Sequence, residues 1–303
     1  MEEYNQFLES IKKTYSIDTL EKYLDSINDI SILIVGDTII DEYQYGYTLG
    51  KSGKAPIVAF QNTNIERYDG GVLAIRNHLK DFCKIDILTG WKQIVKKRYI
   101  QENQKLFETY SFKEDLGYNE DKSISSYDII LIADFGHGFI DKELQHKLES
   151  EAKYIALNTQ LNAGNMGMNT INKYTHRNYI SIDNTELRIA VSNQFDPIEK
   201  IIKSKFTHET VSVTDSNRGV YIYRNGELIH TPALAKYVVD TIGAGDAYLS
   251  LTTPLAYMQV PLNIIGFFGN CAGAIACGYP GNKESVTKEK IHTFINEIYD
   301  ENK

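Results

Sequence analysis

The amino-acid sequence predicts an α/β fold with a doubly wound, mostly parallel central sheet and a second, smaller β-sheet. Continuous apolar runs of strand length recur along the chain, which is typical of strands buried on both faces. Most of these runs end in a polar residue and are followed by a helical segment, so the chain repeats a strand–helix unit. Two segments, residues 42–68 and 96–112, contain further β-like runs and are expected to form the smaller sheet.

Composition and charge restrict the class of protein. The 303 residues are 42% hydrophobic and 24% charged, as in a soluble globular protein. The net charge of −8 argues against a nucleic-acid or anionic-membrane partner, because both require a basic surface. The three cysteines form no CxxC pattern, which favours a reducing compartment. No apolar run reaches the roughly 18 residues of a membrane span or resembles a signal peptide, so we expect a cytoplasmic protein.

The chain is expected to form one main domain preceded by a helical extension. Residues 1–30 are predicted to be helical, because Tyr4, Phe7 and Ile11 recur at helical spacing. Residues 31–303 are predicted to form the main domain, into which the segments of the smaller sheet are inserted. The sequence contains no internal repeat and no stretch with the composition of a linker.

Polar residues follow five of the predicted strands, at the edge where ligands bind in open α/β sheets. The first strand, residues 32–35, is followed by Asp37, and the strand at 129–133 by Asp134. Three later strands end in the same way, and the five polar residues are Asp37, Asp134, Asn158, Asp183 and Thr214. Each of them could instead cap the following helix. Their number, and a glycine-rich loop further along the chain, favour a ligand-binding edge.

Residues 239–247, Val-Asp-Thr-Ile-Gly-Ala-Gly-Asp-Ala, carry the strongest functional signal. The small residues Gly243, Ala244 and Gly245 allow the backbone to approach an anion, and the apolar run after Asp246 is predicted to be a helix. Free N–H groups and the positive end of the helix dipole would then face the loop, as a transferring phosphoryl group requires. Asp246 could accept the proton of an attacking hydroxyl. A bare Gly-x-Gly-Asp is often only a loop with a capping Asp. The longer string of residues 239–247 is more specific for a loop that binds a phosphoryl group.

Residues 240–246 resemble the DTxGAGD signature of the PfkB family of carbohydrate kinases. The resemblance implies a ribokinase-like fold in which the smaller sheet is a lid. It also implies that the loop forms an anion hole, that Asp246 is the catalytic base, and that ATP and Mg²⁺ are the cofactors. Other family motifs match the opening strand with Asp37 and Asp41, the glycine pair Gly70-Gly71, and the helix around Asn270.

Within this family the sequence is most similar to the bacterial heptose-7-phosphate kinases of ADP-heptose synthesis, from about residue 31 to residue 290. Tyr43, Tyr45 and Gly46 match the GDxxxDxYxxG start of that branch, and residues 134–138 resemble its DYxKG segment. The resemblance implies a sugar or sugar-phosphate substrate, with heptose phosphate favoured. Lids in this family often dimerise, which implies a homodimer through the lid.

The resemblance also assigns roles to individual residues. Substrate contacts are expected from Asp37, Asp41, Gly70, Gly71, Arg98 and Asp134. Nucleotide contacts are expected from Asn158, Thr214, Ser216, Gly219 and Asn270. Mg²⁺ is expected near Asp183 and Glu186, which resemble the family's NxxE motif with Asp in place of Asn, because carboxylates can bind a hard cation through water.

Several positions depart from the heptose kinase pattern. Ala74 stands in place of an Asn, His137 in place of a Lys, Asn158-Thr159-Gln160 in place of Asp-Pro-Lys, and Ser216 in place of a Gly. Two positive charges are thereby lost near the expected phosphates. Lys96, Lys97 and Arg98 could replace them, Arg98 best, because a planar guanidinium suits bidentate phosphate binding. The alternative for this trio is a solvated edge strand. The amide-rich residues 158–165 could bind hydroxyls or form a structural loop.

Two other functions are compatible with the sequence. The first is a sugar or nucleotide-sugar binding protein, which would keep the fold and lose catalysis. The departures at positions 137, 158, 160 and 216 favour this function, and the intact Asp246 argues against it. A kinase for an unphosphorylated sugar or a nucleoside would need no cation at positions 137 and 160. A protein kinase is excluded, because Asp134-Phe135-Gly136 stands without the other motifs of that class. The scattered histidines indicate no zinc site.

Overall fold

The computed structural model describes residues 2–90, 93–112, 122–165 and 167–300. The first residue of the expected extension and the last three residues of the expected main domain therefore lie outside the described ranges. The strands in these ranges are β1 (Ser31–Gly36), β2 (Thr38–Lys51), β3 (Val58–Gly71), β4 (Lys84–Leu88), β5 (Gln93–Gln101), β6 (Gln104–Phe112), β7 (Ile129–Asp134), β8 (Ile155–Thr159), β9 (Tyr179–Asp183), β10 (Thr210–Thr214), β11 (Val220–Arg224) and β12 (Glu227–Thr231). The helices are α1 (Glu2–Thr14), α2 (Ile17–Asp25), α3 (Val72–Leu79), α4 (Lys142–Glu151), α5 (Asn184–Val191), α6 (Ile198–Lys205), α7 (Ala244–Tyr257), α8 (Leu262–Cys277) and α9 (Lys288–Asp300). None of these helices combines the length and the apolar character needed to cross a bilayer.

The large sheet has the strand order β12-β11-β10-β9-β8-β7-β1-β4. The strands from β4 to β10 in this order pair in parallel. Strands β11 and β12 form an antiparallel hairpin at one edge. This arrangement confirms the mostly parallel central sheet that the apolar runs predict.

Helices cover both faces of the large sheet. On β1, Ile32 and Ile34 pack into a core that includes side chains of α3, α7, α8 and α9. The alternate residues Leu33 and Val35 pack into a second core with side chains of α4, α5 and α6. Because successive side chains of a strand point to opposite faces, a strand between two helical layers must be apolar throughout. The doubly wound architecture is therefore confirmed.

Helices α1 and α2 form the N-terminal extension and share the first of these cores. Leu8, Ile11 and Leu20 are buried there together with side chains of α9. Ser16 caps α2 by accepting a hydrogen bond of 3.2 Å from the backbone N–H of Thr19. The extension therefore adds apolar contacts to the main domain.

The small sheet consists of β2, β3, β5 and β6, in the order β3-β2-β5-β6. Strand β2 begins at Thr38, just after β1 ends, so the small sheet leaves the large sheet at the carboxyl end of a central strand. The predicted segments 42–68 and 96–112 lie within its strands and the turns that join them. Because side chains alternate, Asp41 and Lys96 belong to the inner face of this sheet, and Glu42 and Lys97 to the outer face.

Candidate active site

A cavity of about 700 Å³ lies between the carboxyl edge of the large sheet and the inner face of the small sheet. Many of the residues assigned from the sequence line it together. They are Asp41, Gly71, Arg98, Asp183, Thr214, Ser216, Gly219, Gly243, Ala244, Gly245, Asp246 and Asn270. The volume suits a small-molecule ligand.

The loop before α7 has the geometry of an anion site. Gly243 has a φ of +85°, and a Cβ atom there would lie 2.0 Å from Oδ1 of Asn282, so only glycine fits. Ala247 donates the first intrahelical bond, 2.9 Å to the carbonyl of Gly243. The N–H groups of Gly245 and Asp246 precede that bond and have no acceptor within the helix. Gly245 and Asp246 line the cavity at the positive end of the helix dipole.

Asp246 lies in the first turn of α7 and lines the same cavity. Desolvation by the surrounding protein and, to a smaller extent, the negative charge of Asp41 raise the pKa of its carboxyl group to about 7, although Lys96 acts in the opposite direction. A carboxyl group with a pKa near neutrality is suited to proton transfer, because both of its protonation states are populated.

Asp41 and Arg98 form an ion pair between neighbouring strands of the small sheet. The Arg98 guanidinium also lies 3.5 Å from a carboxylate oxygen of Glu108 and 5.8 Å from the ring centre of Tyr43. Its charge is therefore already shared between two carboxylates. Arg98 is at the cavity, but a phosphate group would compete with Asp41 for it.

Lys96 is a buried cation on the cavity wall. Its ammonium group lies 5.6 Å from the ring centre of Tyr110 and 5.7 Å from that of Phe135. Burial lowers the pKa of Lys96, although Asp41, Glu108 and Asp246 act in the opposite direction. Lys97 instead lies on the outer face and pairs with Glu42 at 3.3 Å. The trio proposed from the sequence is thus divided, with Lys96 and Arg98 at the cavity.

The glycine pair brings β3 close to two acidic residues. A Cβ atom on Gly70 would lie 2.6 Å from Oδ2 of Asp41. Gly71 has a φ of +57°, and its Cβ atom would lie 2.4 Å from the carbonyl oxygen of Asp37. Neither Gly70 nor Asp37 is among the residues that line the cavity, so of this group Asp41 and Gly71 are the ones in reach of a ligand there.

Asp134 and the neighbouring His137 are not part of the cavity lining. The Asp134 carboxylate accepts bonds of 2.6 Å from Tyr174 and 2.9 Å from the backbone of Gly136, and it pairs with Lys173. His137 is buried beside the rings of Tyr110 and Phe112. Ala74 is buried in α3. Asp134, His137 and Ala74 therefore belong to the structure that surrounds the cavity and do not line it.

The amide-rich segment is largely engaged in its own loop. Asn162 and Asn165 donate to the carbonyl oxygen of Phe135, at 2.7 and 3.1 Å. Asn158 donates to Ser181 at 2.8 Å and is absent from the cavity lining, whereas Gln160 is part of it. Of the two interpretations of this segment, the contacts agree with the structural loop.

The far end of the cavity is formed by the loop after β10 and by α8. Gly219 has a φ of +100°, and a Cβ atom there would lie 2.1 Å from the carbonyl oxygen of Thr231. Ser216 also has a positive φ, +54°, although it is not glycine. Asn270 donates to Thr231 Oγ1 and to the carbonyl oxygen of Pro232, both at 2.9 Å. Sequence reasoning missed Arg218, which lies on the same loop and pairs with Asp215 at 2.6 Å.

Asp183 and Glu186 form a capping box at the start of α5. Asp183 accepts from the backbone of Glu186 at 2.7 Å, and Glu186 accepts from the backbone of Asp183 at 2.8 Å and of Leu161 at 3.1 Å. Burial raises the pKa of Glu186 to about 8, helped by the charge of Asp183. No described group of three or more His, Cys, Asp or Glu side chains forms a ready-made metal cage. Asp183 lines the cavity and Glu186 does not, so Asp183 is the member of the pair that could hold a cation there through water.

Two proteins of known structure have a similar fold. The ribokinase of Arabidopsis thaliana, complexed with ribose and ATP, superposes with a TM-score of 0.64 at 14% identity, over 88% of this chain and 99% of that chain. The nucleoside kinase of Burkholderia thailandensis, in complex with inosine, superposes with a TM-score of 0.60 at 12% identity, over 88% of this chain and 96% of that chain. These similarities show that the fold is ribokinase-like.

Sequence comparisons identify relatives and a family. The bifunctional protein HldE of Syntrophotalea carbinolica is 23% identical over 322 aligned positions, which cover 90% of this chain and 64% of that protein. HldE of Helicobacter pylori strain HPAG1 is 25% identical, over 88% of this chain and 67% of that protein. The chain thus spans about two thirds of the length of these curated relatives. The model of the pfkB family carbohydrate kinases matches residues 83–289. The chain therefore belongs to the pfkB family of carbohydrate kinases, phosphotransferases that act on a sugar hydroxyl.

Proposed function

We propose that this protein transfers the γ-phosphate of ATP to a hydroxyl of a phosphorylated sugar, with heptose phosphate favoured, and that Asp246 is the catalytic base. The observation that carries the proposal is the position of Asp246. It stands at the N-terminus of α7, between the exposed amides of the loop and the Asp41–Lys96–Arg98 wall, and its pKa is about 7. One carboxylate thus faces both a site for an anion and a site for a polar acceptor.

In the proposed reaction, the acceptor hydroxyl loses its proton to the Asp246 carboxylate while its oxygen forms a bond to the γ-phosphorus. The bond from that phosphorus to the bridging oxygen breaks, and ADP leaves with the electron pair. The N–H groups of Gly245 and Asp246 would stabilise the negative charge on the transferring group. Mg²⁺, bound through water at Asp183 with Glu186 behind it, would neutralise charge on the nucleotide phosphates.

The wall formed by the small sheet supports a sugar phosphate as the acceptor. Asp41 can accept hydrogen bonds from sugar hydroxyls, and Gly71 lines the cavity beside it. Lys96 supplies a positive charge near both Asp41 and Asp246, so it is better placed than the paired Arg98 to bind the phosphate already on the sugar. The 23–25% identity to HldE proteins agrees with a heptose phosphate.

ATP is proposed to lie along the loop from Thr214 to Gly219 and against α8 near Asn270. The left-handed residues Ser216 and Gly219 hold this loop in a sharp turn at the cavity. Arg218 on the same loop pairs with Asp215, but its side chain is largely exposed. The part of its guanidinium that does not contact Asp215 could therefore bind nucleotide phosphates.

The test is ADP release with Mg-ATP and a panel of heptoses, hexoses and pentoses, each with and without a phosphate. Asp246→Asn should lower sugar-dependent turnover by roughly 10²–10⁴-fold. Asp29→Asn is the control, because it neutralises a carboxylate that pairs with Lys84 at 2.9 Å on the exposed surface. If no sugar stimulates ADP release, or if Asp246→Asn keeps wild-type turnover, the proposal is wrong.

A kinase for an unphosphorylated sugar or a nucleoside is the second candidate. It is favoured by the Asp41–Arg98 pair, which neutralises one of the two cations on the acceptor wall. Turnover of the unphosphorylated half of the panel in preference to the phosphorylated half would establish this candidate. A non-catalytic binding protein would instead bind a sugar with no turnover in either half.

A homodimer through the small sheet is also proposed. Apolar side chains stand exposed on this sheet and on the turn between β2 and β3, among them Ile57, Val58, Ile65 and Phe107. Phe107 stacks on Tyr99 at a ring-centre distance of 4.3 Å, which places a pair of aromatic rings on the outer face. Light scattering of the purified protein tests the proposal, and Phe107→Glu should shift a dimer to the monomer.

A further inference from the structure

Two side chains of the small sheet hold Asp240, which directly precedes the anion-binding loop. Lys105 of β6 reaches Oδ1 of Asp240 with its ammonium group at 2.5 Å. Tyr43 of β2 donates a hydrogen bond of 2.7 Å to Oδ2 of the same carboxylate. Both contacts join residues that are more than a hundred positions apart in the chain.

The same carboxylate organises the backbone around the loop. Oδ1 of Asp240 also accepts the N–H of Ile242 at 3.1 Å, and Oδ2 accepts the N–H of Gly281 at 3.0 Å. Gly281 precedes Asn282, whose side chain faces Gly243. Asp240 therefore fixes the start of the loop and the neighbouring turn with one side chain, and the small sheet fixes Asp240.

Asp240 is buried, so the loss of any of these contacts would leave its carboxylate short of hydrogen-bond donors. The Asp240 side chain is only 7% exposed, so water cannot readily replace a lost donor. Burial would raise the pKa of its carboxyl group, but the hydrogen bonds from Lys105, Tyr43 and the two backbone amides outweigh burial and lower it. The carboxylate thus stays charged and depends on its donors.

We propose that Lys105 is a positioning residue for phosphoryl transfer: through Asp240 it orders the 241–245 loop while the small sheet lies over the cavity. This inference rests on the proposed role of that loop as an anion hole. If the small sheet moved away, Lys105 and Tyr43 would leave Asp240 together, and this carboxylate would lose two of its four hydrogen-bond donors. Closure over an acceptor would then order the amides that stabilise the transferring group.

Lys105 is the better residue to vary. Its side chain is 41% exposed, so its removal creates no cavity in the core, whereas Tyr43 is fully buried. Lys105→Met keeps the aliphatic stem and removes the charge, and Lys105→Arg keeps the charge. Arg67→Met is the matched control, because Arg67 also brings a cation from the small sheet to a buried carboxylate, Glu42, at 2.6 Å on the outer face.

The experiment combines two measurements on the full chain. Hydrogen exchange followed by mass spectrometry reports the order of the peptide that contains residues 240–247. Steady-state ADP release gives kcat and the KM values for ATP and the sugar. For Lys105→Met we expect exchange in that peptide to rise at least about tenfold and kcat to fall at least about tenfold, with KM for ATP changed less than about threefold. Lys105→Arg should restore both, and Arg67→Met should alter neither.

The two measurements separate this inference from the proposed function. If the wild type turned over no sugar, the proposed function would fail, and hydrogen exchange would still decide whether Lys105 orders the 241–245 loop through Asp240. Exchange that is unchanged in Lys105→Met overturns the inference. So does an equal effect of Arg67→Met, or a Lys105→Arg variant that behaves like Lys105→Met, because a general loss of stability would then explain the result.

Discussion

Arg98 of β5 forms a buried ion pair with Asp41 of β2, with side chains that are 11% and 6% exposed. The two strands are neighbours in the small sheet, so the pair is set by strand pairing and not by a ligand. The acid expected to bind sugar hydroxyls is therefore oriented by the cation expected to bind phosphate. Among the described residues that line the cavity, this pairing leaves Lys96 as the buried cation that a substrate phosphate could engage without displacing an ion-pair partner.

Lys96→Met should weaken binding of a phosphorylated sugar more than that of its unphosphorylated analogue. Loss of a hydrogen bond to a charged group corresponds to a rise in KM of about ten- to a hundredfold. Lys96 also lowers the pKa of Asp246, so its removal should move the acidic limb of the kcat/KM profile to higher pH. Lys97→Met is the control on the outer face. An unchanged KM for the phosphorylated sugar would assign its phosphate to another residue.

Gly70→Ala should impair the acceptor site and leave the nucleotide site intact. The added Cβ atom would lie 2.6 Å from Oδ2 of Asp41, so the carboxylate must move away from Arg98 or from the cavity. We expect KM for the sugar to rise at least about tenfold, and KM for ATP to change little. Gly53→Ala serves as the control, because a Cβ atom there meets nothing within 4 Å. Equal rises in both KM values would point to general unfolding instead.

Ser216→Gly should stabilise the protein. Ser216 is exposed and has a φ of +54°, a conformation that costs a residue with a Cβ atom about 1–2 kcal/mol and costs glycine little. Glycine adds roughly 0.4–1 kcal/mol of entropy to the unfolded chain, so a net gain of about 0.5–1 kcal/mol is expected. Urea denaturation measures it. Ser216→Ala retains the strain and should give no gain; a gain of equal size in both variants would exclude strain as the cause.

The sequence predicted best what depends on short-range geometry. The string from Asp240 to Asp246 specifies a loop and a helix start within a few residues, and the structure contains both. Strand ends were harder to interpret, because a polar residue there can face the cavity, as Thr214 does, or a neighbouring loop, as Asp134 does. The contact of Lys105 with Asp240 had no local signal, since it arises only when the small sheet folds over the main domain.

Asp246 should also make the stability of the protein depend on pH. Its pKa is about 7 in the folded state, against an ordinary value of 3.8, so the folded protein binds a proton that the unfolded chain releases. The free energy of unfolding should therefore fall as the pH rises from about 4 to about 7, because the folded state binds more protons than the unfolded state in that range. Asn cannot ionise, so the stability advantage of Asp246→Asn over the wild type should grow by about 3 kcal/mol between pH 5 and pH 8. Urea denaturation at both pH values measures the difference, with Asp29→Asn as the exposed control. An advantage that is the same at both pH values would mean that Asp246 ionises near its ordinary pKa, and it would then be a weaker base at neutral pH than proposed here.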